Sequence, residues 1–382
     1  MADLGSPSIL ISFHEKSRSV IQRGERGIVL LLVECAALND KKNPMTITDE
    51  FDIPEALPDV VKEQIKLAMM GYVTKPKKVV VYCLGDLAAE QENSSEAVTN
   101  AYQTALKNVE TVKFNYMAVP SVIARNMSDT IANWVEKMRK DTKMIHAVLP
   151  NKDAGNEGII NYATNKVTRT ESISNLDGTV SSFDTEYTAE QYCSRIAGMI
   201  AGTPINMSCT YAVLPELTAC EAQEDNAKAV NEGKFVLMSD GEKIKTCRAV
   251  NSFLTLTPDK GDSFKKIKIV EAMDMITDDI TTVIQDSYIG KYPNNYANKQ
   301  VLMAAISEYF KGLQLDGVVS SYEIALDSVE IKKYLQNRLT EDEIAEMSEA
   351  DIKKADTGSK IFLIGKVGIL DAIEDVVLPI NI

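Results

Sequence analysis

Apolar positions change their period along this chain, and each change marks an element. Ile9, Ile11 and Phe13 alternate with other residues, which places them on one face of a strand. The charged stretch from His14 to Arg26 sets that strand apart from the body, and Gly24 and Gly27 bracket a hinge. Ile28 to Val33 is unbroken apolar sequence, the pattern of a strand covered on both faces. Helical and strand periods then alternate between residues 55 and 160. Helices are predicted over Val60 to Met70, Ser95 to Val109 and Ser128 to Met138, the last with Ser128 as its N-cap. Strands are predicted over Val79 to Leu84, Phe114 to Val119, Met144 to Leu149 and from Gly158 onward. That β-α-β order implies a parallel sheet with crossover helices.

Further along, Lys166 to Tyr187 is rich in Thr, Ser and Asp and reads as an exposed loop or hairpin. Helices follow over Thr188 to Ala201 and Thr218 to Asn231. Gly198 and Gly202 allow close approach of another backbone. Asp240-Gly241, set between Phe235 to Met238 and Ile244 to Phe253, predicts a hairpin with a type I′ turn. Two amphipathic helices are expected over Ile267 to Ile289 and Asn298 to Leu313, and charged Asp327 to Lys354 reads as a solvated insertion. Val376, Leu378, Ile380 and Ile382 alternate around Pro379, which confines that strand to an edge or to an added position. Both ends therefore carry apolar strands in need of a sheet, whether the chain's own or a neighbour's. The expected divisions are an arm over residues 1–27, an α/β domain over 28–262, a smaller α+β domain over 263–370 and a second arm over 371–382.

Charge and composition narrow the function. The 382 residues carry a net charge of −14, which disfavours nucleic acid and anionic membranes as partners. Met1 to Phe13 has neither a basic segment nor a long apolar one, so no signal peptide is expected. Six cysteines, with no C-x-x-C pair among them, read as buried free thiols in a reducing compartment. The two histidines, His14 and His146, leave little for catalysis. His146 sits in an apolar strand and is expected to be packed core. Asp278-Asp279 and Glu341-Asp342-Glu343 read as solvated faces. There is no phosphate-binding glycine fingerprint and no G-x-S-x-G elbow. No catalytic residue, metal ligand or cofactor is assigned. The competing reading, from the α/β layout, is a soluble hydrolase-like or binding protein.

The order of several short motifs resembles the contractile phage tail sheath proteins, in particular the compact kind of Gram-positive myophages and R-type bacteriocins. The resemblance rests on Gly5-x-Pro7-x-Ile9, Arg23 to Val29, Ala197 to Gly202, Glu232 to Arg248, Lys268 to Asp274, Tyr288 to Tyr292 and Val377 to Ile380. It implies a subtilisin-like α/β domain without a protease triad, a smaller C-terminal domain facing an inner tube, and a structural, non-enzymatic role. It also implies stacked hexameric rings that contract to drive the tube through a cell envelope. The implied partners are other copies of the chain, the tail tube protein, and the baseplate and terminator proteins. The implied location is the bacterial cytoplasm during assembly and then a virion tail or a released tail-like particle. Both arms would add strands to neighbours, through Ile9, Ile11 and Phe13 at one end and Val376, Leu378, Ile380 and Ile382 at the other. Gly24 and Gly27 would absorb the rotation. Asp327 to Lys354 has no counterpart in the resemblance.

Overall fold

The computed structural model describes residues 21, 24–38, 42–87, 95–174 and 180–381. Ile9, Ile11, Phe13 and Ile382 lie outside them. In chain order the larger part runs β1 (Ile28–Val33), β2 (Met45–Ile47), α1 (Asp59–Met69), β3 (Lys78–Cys83), α2 (Ser95–Val109), β4 (Tyr116–Ala118), α3 (Ser128–Lys140), β5 (His146–Pro150) and β6 (Ile159–Tyr162). It continues through β7 (Lys166–Ser174), β8 (Val180–Thr188), α4 (Ala189–Ala201), β9 (Leu217–Cys220), α5 (Asn226–Asn231), β10 (Lys234–Phe235), β11 (Leu237–Ser239), β12 (Ile244–Thr246) and α6 (Ile267–Val283). The remainder is α7 (Tyr296–Leu315), β13 (Val319–Leu326), α8 (Ser328–Leu335), α9 (Glu341–Glu346), α10 (Glu349–Lys354) and β14 (Leu363–Ile369).

A seven-stranded sheet in the order β10-β6-β5-β4-β1-β3-β2 carries the core. Its pairings are parallel except for edge strand β2. Every residue of β1 is buried. The reason is the period of two: Val29 and Leu31 face the layer that holds α1 and α4, while Ile28, Leu30 and Leu32 face the layer that holds α2 and α3. Helix α4 starts with Thr188 and Gln191 in a reciprocal capping box. Gly198 lets it lie against α1: a Cβ there would sit 1.9 Å from the Ala68 carbonyl oxygen.

Ser128 is the first helical residue of α3 and not its cap, because the Ile131 N–H already bonds the Met127 carbonyl. Thr218 to Cys220 is a strand, since it pairs with Val167 to Arg169 on the edge of the β7–β8 hairpin, and the helix begins only after the Asp225 cap. The Asp240-Gly241 turn is a four-residue loop over 240–243, with Asp240 Oδ1 accepting from the Glu242 and Lys243 N–H groups; a type I′ turn has two central residues. Phe235 belongs to the large sheet and not to this hairpin. Helix α6 ends at Val283 in a π turn over Ile284–Tyr288.

Packing divides the chain into two compact units, residues 23–279 with 315–320 and 368–382, and residues 280–314 with 321–367. Within the smaller unit the charged segment from Asp327 is not a solvated insertion. It folds as α8, α9 and α10, whose Ile331, Leu335, Ile344 and Ile352 close a core with Leu326 and Met303. The charges point outward from short amphipathic helices, each with a side-chain cap from Asp327, Thr340 or Ser348.

Candidate functional site

Two stretches that lead to the chain ends are fixed to the larger unit by charge, and both were hidden in the sequence. At the N-terminal side, Arg26 is half-buried and donates to Glu271 (2.9 Å) and Asp278 (3.2 Å) on α6. The Gly24 N–H donates to Asp279 Oδ1 (2.7 Å), and Glu25 pairs with Lys78 (2.7 Å). Gly27 has φ +77°, and a Cβ there would stand 2.8 Å from the Ala201 carbonyl oxygen, so this position accepts only glycine without strain. Asp278-Asp279 is therefore not a solvated pair: Asp279 is buried and Asp278 is part-covered by Arg26.

Behind Arg26, α6 lines up Glu271, Asp274 and Asp278 at helical spacing. Tyr116 donates to Glu271. Arg139 forks onto both Asp274 oxygens (2.6 and 2.9 Å) and lies 3.9 Å from Glu157, which also pairs with Lys260 (2.6 Å). His146, fully buried and stacked on Tyr116, has Nε2 2.8 Å from Asp274 Oδ2, off the line of a good hydrogen bond. It is a packed core histidine, as its strand predicts. Burial would raise the Asp274 carboxyl, but His146 and Arg139 outweigh it and hold the pKa down at about 2. For Asp278 burial dominates over Arg26, and the carboxyl is pushed up to about 6.

At the C-terminal side, Asp371, Glu374 and Asp375 form an acidic root held by basic and hydroxyl groups. Lys266 pairs with Asp371 and with Glu374 (3.1 Å). Thr210 Oγ1 donates to Glu374 (2.6 Å), and Arg248 donates to Asp375 (2.6 Å). Lys268 caps the Leu370 carbonyl, and the Leu370 N–H bonds Val318 (2.9 Å). Beyond the root, no residue from Leu370 to Asn381 is assigned to a strand. Val376, Val377, Leu378 and Ile380 are 75–91% exposed. Three of the four expected C-arm residues thus stand together in water on one segment without regular secondary structure. The clamp itself was missed. Asp371, Glu374 and Asp375 are visible as an acidic cluster before the apolar end, but their partners lie over 100 residues away.

The larger unit is thus an α/β body whose last segment is held by charge at its root and is apolar and exposed beyond it. The family model for the phage tail sheath protein central domain matches residues 96–252, and that for the phage tail sheath C-terminal domain matches residues 259–352. The tail sheath protein of Clostridium phage phiCD119 is 32% identical over 97% of this chain and 98% of its own length. The phage-like element PBSX protein XkdK of Bacillus subtilis is 24% identical over 74% of this chain and 64% of its own. Among solved structures, the sheath tail protein of Desulfitobacterium hafniense superposes with a TM-score of 0.63 at 20% identity, over 84% of this chain and 94% of that one. The contracted helical sheath of the anti-feeding prophage gives 0.64 at 13% identity, over 99% of each. The chain belongs to the phage tail sheath family, and its role is that of a structural tail sheath subunit. The family's proteins are structural and not enzymes. The C-terminal family model runs through Asp327 to 352, so that segment is part of the family's domain and not a departure from it.

Proposed function

We propose that copies of this chain stack as hexameric rings around an inner tail tube and contract to drive the tube through a target cell envelope. The larger unit acts as the subtilisin-like body and the smaller domain faces the tube. The partners are other copies, the tube protein, and the baseplate and terminator proteins. Assembly takes place in the bacterial cytoplasm before the tail or tail-like particle is released. The N-terminal strand (Ile9, Ile11, Phe13) and the C-terminal strand (Val376, Leu378, Ile380, Ile382) each extend a neighbour's sheet. Gly24 and Gly27 mark the hinge between the first strand and the body, and it turns only when the Gly24–Asp279 and Arg26 contacts let go. During contraction the bodies move as rigid units while the strands keep them tethered.

The observation that carries this reading is the run of exposed aliphatic side chains beyond Asp375 on a charge-clamped root. Main-chain groups of such a segment, exposed to water, are free to pair with a sheet edge, and its apolar side chains leave water only against a partner. Removal of residues 376–382 is expected to leave the thermal midpoint of the single subunit unchanged, because the side chains of 376–381 bury almost nothing in it. The same truncation is expected to abolish tubes in negative-stain electron microscopy. Normal tubes from the truncated chain would refute the proposal.

A further inference from the structure

The sequence offers six scattered cysteines, and the fold brings two of them together. Cys35 follows β1 and Cys83 ends β3, the adjacent parallel strand. Their sulfurs are 2.8 Å apart, closer than two unbonded sulfurs rest and within about 0.8 Å of the length of an S–S bond. The main chain at both positions is fixed. The Gly85 N–H bonds the Cys35 carbonyl (3.1 Å), and the Asn43 side-chain amide holds the Cys83 carbonyl (2.8 Å) and N–H (2.9 Å). Cys35 and Cys83 are buried, and Ala36 and Ala37, next along the chain, are exposed. Cys193 and Cys209 are buried too, and among the described residues neither meets another sulfur.

We propose that Cys35 and Cys83 are a disulfide-forming pair, free while the medium is reducing and joined when a small-molecule disulfide such as oxidised glutathione is present. The thiol of Cys35 donates to the sulfur of Cys83, which lowers the Cys83 pKa against the opposing effect of burial, so Cys83 is the attacking sulfur. Its thiolate attacks one sulfur of the oxidant and one small thiolate leaves. Cys35 then loses its proton, attacks the Cys83 sulfur of the mixed disulfide and expels the second small thiolate. Two protein thiols are oxidised, one oxidant disulfide is reduced to two thiols, and these take up the two protons. The product ties β1 to β3 and closes a loop between positions 48 apart in the chain.

The test uses the full-length protein, natively folded, incubated with oxidised glutathione, quenched with iodoacetamide and mapped by mass spectrometry without reduction. The expected result is a peptide linking Cys35 to Cys83, an intact mass, read before alkylation, lower by two hydrogen atoms, and a thermal midpoint raised on the order of 10 °C that returns on reduction. Cys35→Ser is expected to show neither the link nor the rise, and the wild-type map decides the matter even if that variant folds poorly. Recovery of both residues as free thiols, under conditions that oxidise the unfolded chain, overturns the proposal. So does a glutathione adduct that persists on either one in the native wild-type protein.

Discussion

Replacing Gly198 by alanine sets two effects against each other. In a helix interior, alanine is favoured over glycine by about 1 kcal/mol. Against that, the new Cβ would stand 1.9 Å from the Ala68 carbonyl oxygen, 2.6 Å from its carbon and 2.8 Å from its Cα. All three obstacles are backbone atoms of α1, so no side chain can rotate away. Restoring an ordinary contact of about 3.4 Å needs α1 and α4 to part by roughly 1.5 Å, which forfeits much of the dispersion energy across their interface. That interface includes Ile65, Ile196 and Ala197, all fully buried. Overpacking of this kind costs about 1–3 kcal/mol and often reaches the upper end where only backbone can move. Sterics therefore win, with a net loss of about 2 kcal/mol, or a fall of roughly 4–8 °C in the thermal midpoint of a unit this size. Urea and thermal unfolding of the single subunit measure it. A variant as stable as the parent, or more stable, would show that helix propensity dominates and that the two backbones do not meet as described.

Three other outcomes follow from the charge networks. Glu374→Ala removes a partner from Lys266, Thr210 and Arg248 at once, so limited proteolysis between Leu370 and Val376 is expected to speed up several-fold; an unchanged digest would show that Asp371 and Asp375 suffice. Asp278, raised to about 6 when folded against about 3.9 in an unfolded chain, contributes stability below pH 4 that is lost as pH rises through 6. Asp278→Asn is therefore expected to flatten the stability profile between pH 4 and 7, and equal slopes for parent and variant would contradict this. Asp274 has the opposite sign: held at about 2, it contributes stability above pH 4 that is lost as pH falls toward 2. Asp274→Asn is expected to cost about 3 kcal/mol at pH 7, because half-buried Arg139 and buried His146 are left with a weaker partner. A loss below 1 kcal/mol in urea unfolding would mean that the cluster does not bear on stability.

Local patterning was enough for the alternating core. The unbroken run Ile28–Val33 announces a strand covered on both faces, and helices α1 to α4 follow from apolar spacing, with Gly198 flagged for close packing. The apolar character of the chain's last residues is also written in the sequence, since exposed Val376, Leu378 and Ile380 need no partner to be recognised as apolar. Tertiary structure decided the rest, for one reason: charge and pairing depend on what lies opposite, and opposite residues are distant in sequence. Thr218 to Cys220 looks helical until the β7 edge offers hydrogen bonds. Asp278-Asp279 looks solvated until Arg26 and the Gly24 N–H fold over it. The segment from Asp327 looks like a charged insertion until its few isoleucines and leucines find Leu326. Cys35 and Cys83 look like two unrelated core thiols until parallel pairing of β1 with β3 sets them side by side. Period along the chain fixes which residues turn inward, and only the folded arrangement fixes what they meet there.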